Sequence, residues 1–149
     1  MAVTAKMYGQ ALLKALNKEI KWSGTSPDTF KVMLCTSAYT PNQDTHVYLS
    51  DVTNEVAATG GYTAGGQALT SLNITYTAAT NVIMLDAADV TWASSTITAR
   101  YAVIYDDTPS TTATKPLLGY VDFGADQSSN AGNFTITWDA AGIFTITAA

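Results

Sequence analysis

The stretch Thr96-Ile97-Thr98-Ala99-Arg100-Tyr101-Ala102-Val103-Ile104-Tyr105 decides the fold class. Ile97, Ala99, Tyr101, Val103 and Tyr105 recur at every second residue, the period of a β-strand that turns one face to a core. Short strands at close spacing flank it. Upstream, Leu69 to Thr77 carries Leu72, Ile74 and Tyr76, and Ala78-Ala79-Thr80-Asn81 turns the chain into Val82 to Asp86, followed by a short strand at Asp89 to Trp92. Downstream, a polar Thr-rich loop with Pro109 spans 106–115, and Leu117 to Phe123 reads as the next strand. Asn133 to Trp138 and Ile143 to Thr147 then predict a hairpin across Asp139-Ala140-Ala141-Gly142, each arm carrying Phe-Thr-Ile-Thr. Nearer the start, Phe30, Val32, Leu34 and Thr36 alternate with Lys31, Met33 and Cys35, a strand at least half buried on both faces. About eight short strands separated by turns predict a mainly β chain folded as an antiparallel β-sandwich or barrel.

The N-terminal segment has a different period. Tyr8, Leu12, Leu16 and Ile20 recur every four residues with Leu13 beside them, while Lys6, Gln10, Lys14, Asn17 and Lys21 take the other faces. This predicts one amphipathic helix of about four turns, capped by Thr4 and starting near Ala5. Its first turn is weakened by Gly9, and Ser23-Gly24-Thr25-Ser26-Pro27 ends it. The apolar stripe either closes one side of the core or docks on a neighbouring subunit. The expected organisation is a single domain, 1–149, with a helix and arm over 1–24 and a β-domain over 28–149. Pro41-Asn42-Gln43-Asp44 marks a loop, Thr45 to Val52 a short helix capped by Thr45 or Asp44, and Gly60-Gly61-Tyr62-Thr63-Ala64-Gly65-Gly66 a mobile surface loop.

Composition narrows the function class. Hydrophobic residues make up 47% and charged residues 13%, which excludes a disordered chain. Thr (24) and Ala (23) supply a surface that is easily desolvated against a partner. The net charge of −5 argues against nucleic-acid binding, which needs Lys and Arg on phosphates. Charge is also uneven: residues 1–31 carry five basic and two acidic side chains, the remainder two basic and ten acidic. The two parts should therefore meet different surroundings. Lys14, Lys18 and Lys21 interrupt the N-terminal apolar positions, so neither a secretory leader nor a membrane span is expected.

Catalytic chemistry is sparse. His46, in a polar loop, has no nucleophile signature beside it. Cys35 alternates into a strand and reads as a small buried hydrophobe; one His and one Cys cannot build a zinc site of those ligands. Calcium could use Asp86 with Asp89, Asp106 with Asp107, or Asp44, Asp51 and Glu55, but none has a motif's spacing, and Asp in turns also serves the adjacent backbone. No metal, cofactor or enzymatic activity is assigned. Trp22, Trp92 and Trp138 are expected to pack in the core, whereas the loop tyrosines Tyr39, Tyr48 and Tyr62 suit an interface.

Several runs together carry a resemblance. They are Ala5-Lys6-Met7-Tyr8-Gly9-Gln10-Ala11-Leu12-Leu13-Lys14, Phe30-Lys31-Val32-Met33-Leu34-Cys35-Thr36-Ser37, Tyr39-Thr40-Pro41-Asn42-Gln43-Asp44-Thr45-His46 and Asp51-Val52-Thr53-Asn54-Glu55-Val56. Gly61-Tyr62-Thr63-Ala64-Gly65-Gly66, Ala99-Arg100-Tyr101-Ala102-Val103-Ile104-Tyr105 and Gly119-Tyr120-Val121-Asp122-Phe123-Gly124 extend it over nearly the whole chain. The chain resembles a family of small structural proteins encoded by tailed bacteriophages and prophages. The resemblance implies a virion component assembled in the host cytoplasm, and it implies no catalytic residue. Within a virion, a capsid decoration protein bound to the outer head lattice fits the small size and uneven charge. Its partners would be the major capsid protein and further copies of itself, for instance as a trimer. The contacts are expected from the N-terminal arm, Ala2 to Lys14, and one or both of the loops 39–48 and 60–66, with Lys6, Tyr8, Lys14, Tyr39, Tyr48 and Tyr62 as the interface residues. A tail, neck or fibre-base protein, such as a tail-tube subunit, and a host-glycan-binding module are the alternatives.

Overall fold

The computed structural model describes residues 3–148. It is mainly β, with antiparallel sheets and one helix near the N-terminus. The larger sheet holds β1 (Thr4–Met7), β8 (Leu117–Ser128), β7 (Thr98–Asp106), β2 (Phe30–Cys35) and β3 (Gln67–Ala68), in that spatial order. Opposite it lie β10 (Phe144–Thr147), β5 (Val82–Asp86) and β4 (Asn73–Thr77), again in spatial order, and the pair β6 (Val90–Ser95) and β9 (Gly132–Ile136). No barrel closes among the described residues.

Two apolar clusters explain the double-faced reading of the central strands. Phe30, Val32 and Leu34 of β2 point into the main core beside Ala102 and Ile104 of β7, against Leu85, Val90, Trp92, Phe134 and Phe144 of the opposite layer. The alternating Met33 and Cys35 point the other way, with Val103, Tyr105, Leu117 and Tyr120, under a cover of Tyr8, Tyr39, Leu49 and Val52. Strands buried on both sides carry apolar residues at nearly every position, as these do.

The expected apolar face of β7 is split. Ile97 and Ala99 enter the main core, whereas Tyr101, Val103 and Tyr105 pack with the second cluster. β7 changes face between Ala99 and Tyr101, where its pairing is irregular: Ala99 lies opposite Gln127 but Tyr101 opposite Asp122, with the extra β8 residues looped out through Gly124 at φ 78. Asp122 pins it, accepting from Arg100 Nε at 2.7 Å and from the Gly124 amide at 2.8 Å.

The expected C-terminal hairpin does not form. β9 pairs with β6 and β10 with β5, so the two Phe-Thr-Ile-Thr arms lie end to end along neighbouring strands. Residues 139–142 are a bulge within that return, held where Trp138 Nε1 donates to the Ala88 carbonyl at 3.0 Å and the Ile143 amide to that of Leu85 at 2.8 Å. The expected strand 69–77 shortens to β4 at 73–77: Ser71 at φ 54 turns the chain before it, and β3, just upstream, belongs to the other sheet. The expected helix over 45–52 shrinks to a 3₁₀ turn at Leu49–Asp51, with Asp51 Oδ2 accepting the Val47 and Tyr48 amides.

The N-terminal helix is shorter than its periodicity predicts. Residues 4–7 pair with Val121 and its neighbours in β8, and the Tyr8 amide extends that ladder to the Leu118 carbonyl. Edge pairing thus overrides helical propensity at Thr4, which caps nothing. The helix α1 spans only Gly9–Leu16. Lys18 at φ 63 stops it: the Glu19 amide bonds the Lys14 carbonyl and the Lys18 amide that of Ala15, the paired closure of a Schellman motif. The arm is therefore part of the larger sheet rather than an appendage to it.

The glycine-rich stretch is packed, not loose. Tyr62 is buried, the Tyr105 hydroxyl donates to the Gly65 carbonyl at 2.8 Å, and Glu55 Oε1 accepts both the Tyr62 hydroxyl and the Gly65 amide. Gly66 has φ 75, and a Cβ there would overlap the Val32 carbonyl. Gly66→Ala should thus combine left-handed strain with a backbone clash and cost about 2–4 kcal/mol. Chemical denaturation checks it; an unchanged midpoint would show that the loop yields freely.

Candidate functional site

The six expected interface residues fall into three places. Tyr8 follows directly after β1 and is 1% exposed, as is Tyr39 from the loop after β2. Their hydroxyls lie 2.8 Å apart, and that of Tyr39 lies 2.9 Å from His46 Nδ1. The Asn42 amide donates to the same nitrogen, so Nδ1 accepts, Tyr39 donates to it and Tyr8 donates to Tyr39. Burial raises both phenols, Tyr39 to about 12, so neither is poised to give up its proton near neutral pH. The chain of three ties the start of α1 to the loop 39–46 and is a structural clasp.

Lys14 and Tyr48 form the second group. Lys14 is 7% exposed, its Nζ bonded to Glu19 at 2.8 Å and to the Tyr48 hydroxyl at 2.9 Å, and held 4.5 Å from the Tyr48 ring centre. Burial works against the ammonium, but Glu19 and Tyr48 hold its pKa above the ordinary lysine value. Tyr62 stands apart, packed on Trp92, with its hydroxyl also accepting the Leu34 amide. Tyr8, Lys14, Tyr39 and Tyr62 are therefore spent inside the chain and are not available as direct contacts. Tyr62 in particular offers no face to a sugar ring. Lys6, on β1, is exposed, and Tyr48 is half-buried.

What α1 presents instead was hidden from periodicity. Its inward residues are Ala11 and Lys14; Leu12, Leu13 and Leu16 are 42%, 52% and 73% exposed. The leucines of the expected stripe thus face outward, because the buried Lys14 contacts fix the helix rotation, while its outlying members Tyr8 and Ile20 are buried. Beside it an apolar groove of about 330 Å³ runs between Leu12 and Ala15 of α1 and Ile74, Ile83 and Ile146 of the smaller sheet. The groove and the exposed leucines lie side by side, and apolar surface of this kind marks an interaction site where it extends over a few hundred Å². A second, larger cleft of about 920 Å³ lies between β1, β8 and β9, floored by Val121, Phe123, Phe134 and Ile136.

The acidic residues do not converge. No three Asp, Glu, His or Cys side chains gather as a metal site among the described residues, and Asp51 and Glu55 are engaged with backbone amides. Burial holds against the Asp107 carboxylate, yet Lys115 and Lys31 bring its pKa below the ordinary value. No described helix is long and apolar enough to cross a membrane. Comparison with protein-family models, with curated proteins and with solved structures finds no match.

One buried acid is perturbed in the opposite sense. Asp106 is 1% exposed, and burial, with the Asp28 carboxylate adding to it, raises its carboxyl from 3.8 to about 6. Between about pH 4 and 6 the folded chain keeps a proton that the unfolded chain releases, so this group's contribution is lost as pH rises through that window. Asp106→Asn preserves an acceptor for the Thr108 amide and offers Asp28 a permanent donor. It should raise stability at pH 7 by about 1–3 kcal/mol and flatten the slope between about pH 4 and 6. Denaturant melts across that range check it; a slope identical to wild type would overturn the assignment.

Proposed function

We propose that this chain is a structural protein of a tailed-phage virion, a decoration subunit that seats on the outer head lattice. The observation that carries the reading is the outward leucine face of α1. A helix whose lysine is turned in and whose leucines are turned out is arranged for a neighbour rather than for its own core. The sequence resemblance supplies the virion, and the charge division supplies the polarity. Lys6, Lys18 and Lys21 flank the leucines in sequence, while ten of twelve acidic residues lie beyond residue 31. The docking surface in this reading is α1 with Lys6, and the 39–48 loop contributes by holding α1 in place through Tyr8, Tyr39 and Tyr48. No catalytic role is proposed. A tail, neck or fibre-base subunit is the second reading, favoured by the free strand edge at β4, since ring assembly needs pairing between subunits.

Quantitative mass spectrometry of purified particles from the phage that carries this gene separates the readings. Near parity with the shell protein is the expected result. A few to several dozen copies would move the chain to the tail or neck, and its absence would overturn the virion role. Leu13→Glu with Leu16→Glu changes only exposed positions and should alter stability by less than about 0.5 kcal/mol per site. The same variant should nonetheless fail to join the particle; normal incorporation would remove α1 from the docking surface.

A further inference from the structure

β4 is an edge strand touched only near its ends, where Trp22 Nε1 donates to the Asn73 carbonyl and the Tyr76 hydroxyl to Asn81 Oδ1, both at 2.8 Å. All five of its residues are exposed, and no described strand lies beyond it. Natural proteins protect such edges with charge, proline, bulges or brevity. Here β1 carries Lys6 and β3 has two residues. β9 borders the cleft beside β1, and β10 packs next to β1 as well. β4 reads Asn73-Ile74-Thr75-Tyr76-Thr77, with no charge, proline or glycine, and pairs with β5 in unbroken register. Ile74 and Tyr76 share the core-side face with Leu85 and Ile83 opposite them, yet are 43% and 58% exposed, so the apolar layer runs uncovered to the edge.

We propose that the occupant of this edge is a second copy of the chain, paired antiparallel to β4 about a two-fold axis through Thr75. The segment is self-complementary in that register. Ile74 meets Tyr76 of the other copy, twice, and an aromatic opposite a β-branched residue is a favourable cross-strand pair. Thr75 meets Thr75, Asn73 meets Thr77, and no like charges are brought together. Both copies keep their apolar side chains on the same face of the joined sheet, because the register preserves the alternation of the pleat. The two-fold closes the contact at two copies, as isologous interfaces do, whereas a heterologous edge contact would run on into a ring or fibre. This dimer is independent of the virion reading and replaces the trimer suggested by the resemblance.

Thr75→Cys tests the register directly. On the axis, the Cα atoms of position 75 in the two copies fall within the span of about 4.4–6.8 Å that a disulfide bridges. The native Cys35 is fully buried and does not compete. Mild oxidation should convert T75C to a covalent dimer on non-reducing gels, while T77C, opposite position 73, should stay monomeric. Sedimentation velocity of the wild type at micromolar concentration should show a dimer, and Ile74→Lys with Tyr76→Lys should dissociate it. Ile74→Lys with Tyr76→Glu sets the new ammonium of each copy opposite the new carboxylate of the other and should restore a dimer that weakens with salt. A wild-type monomer or trimer, cross-linking of T77C rather than T75C, or no rescue by the charge-complementary pair would each overturn the proposal.

Discussion

The central pair β7 and β8 is apolar on both faces, and every other element answers that constraint. One face is met by the strands of the smaller layer through Trp92, Phe134 and Phe144. The other needs a cover that the second layer cannot supply, and the chain provides one from two distant segments, Tyr8 and the run 39–52. Each fully buried large side chain there contributes about 1.5–3 kcal/mol, which is enough to hold loops in place that would otherwise be free. The clasp of Tyr8, Tyr39 and His46 and the contacts of Lys14 with Tyr48 and Glu19 are the polar seams of that cover.

The same constraint explains what the surface offers. With Tyr8 and Lys14 committed inward, the rotation of α1 is fixed and its leucines have nowhere to go but out. Solvent exposure of three leucines follows from the demands of a core on the far side of the sheet. Docking surface and core cover are two faces of one short helix.

Strand content was legible in the sequence because alternation over Phe30–Cys35 and Thr98–Asp106 is strong and local. Partner choice was not. The two Phe-Thr-Ile-Thr arms look like a hairpin to any local reading, and only long-range pairing with β5 and β6 separates them. Thr4 looks like a cap until β8, more than a hundred residues away, claims residues 4–7 as an edge. The tyrosines misled for a related reason. Tyr39 and Tyr62 sit in sequence that reads as loop, but both loops fold back onto the sheet, and the rings are what anchors them. The one local signal for this was Gly65-Gly66, where a close backbone approach to β2 leaves no room for a side chain. Of the candidate site, the sequence located the segment but not the side of it that faces outward.

The pairing of β1 with β8 has a consequence during synthesis. Thr4 emerges from the ribosome long before its partner Asp122 exists. For most of translation the N-terminal strand has an unsatisfied edge and the leucines of α1 hang on an unanchored helix of two turns, too short to persist alone. A segment made before its partner is placed only after that partner, and such a long-range pairing raises the contact order, which slows folding. Until residues 119–122 are made, the α1 leucines are held by no sheet, so whatever shields them in the interval is part of how this fold is reached.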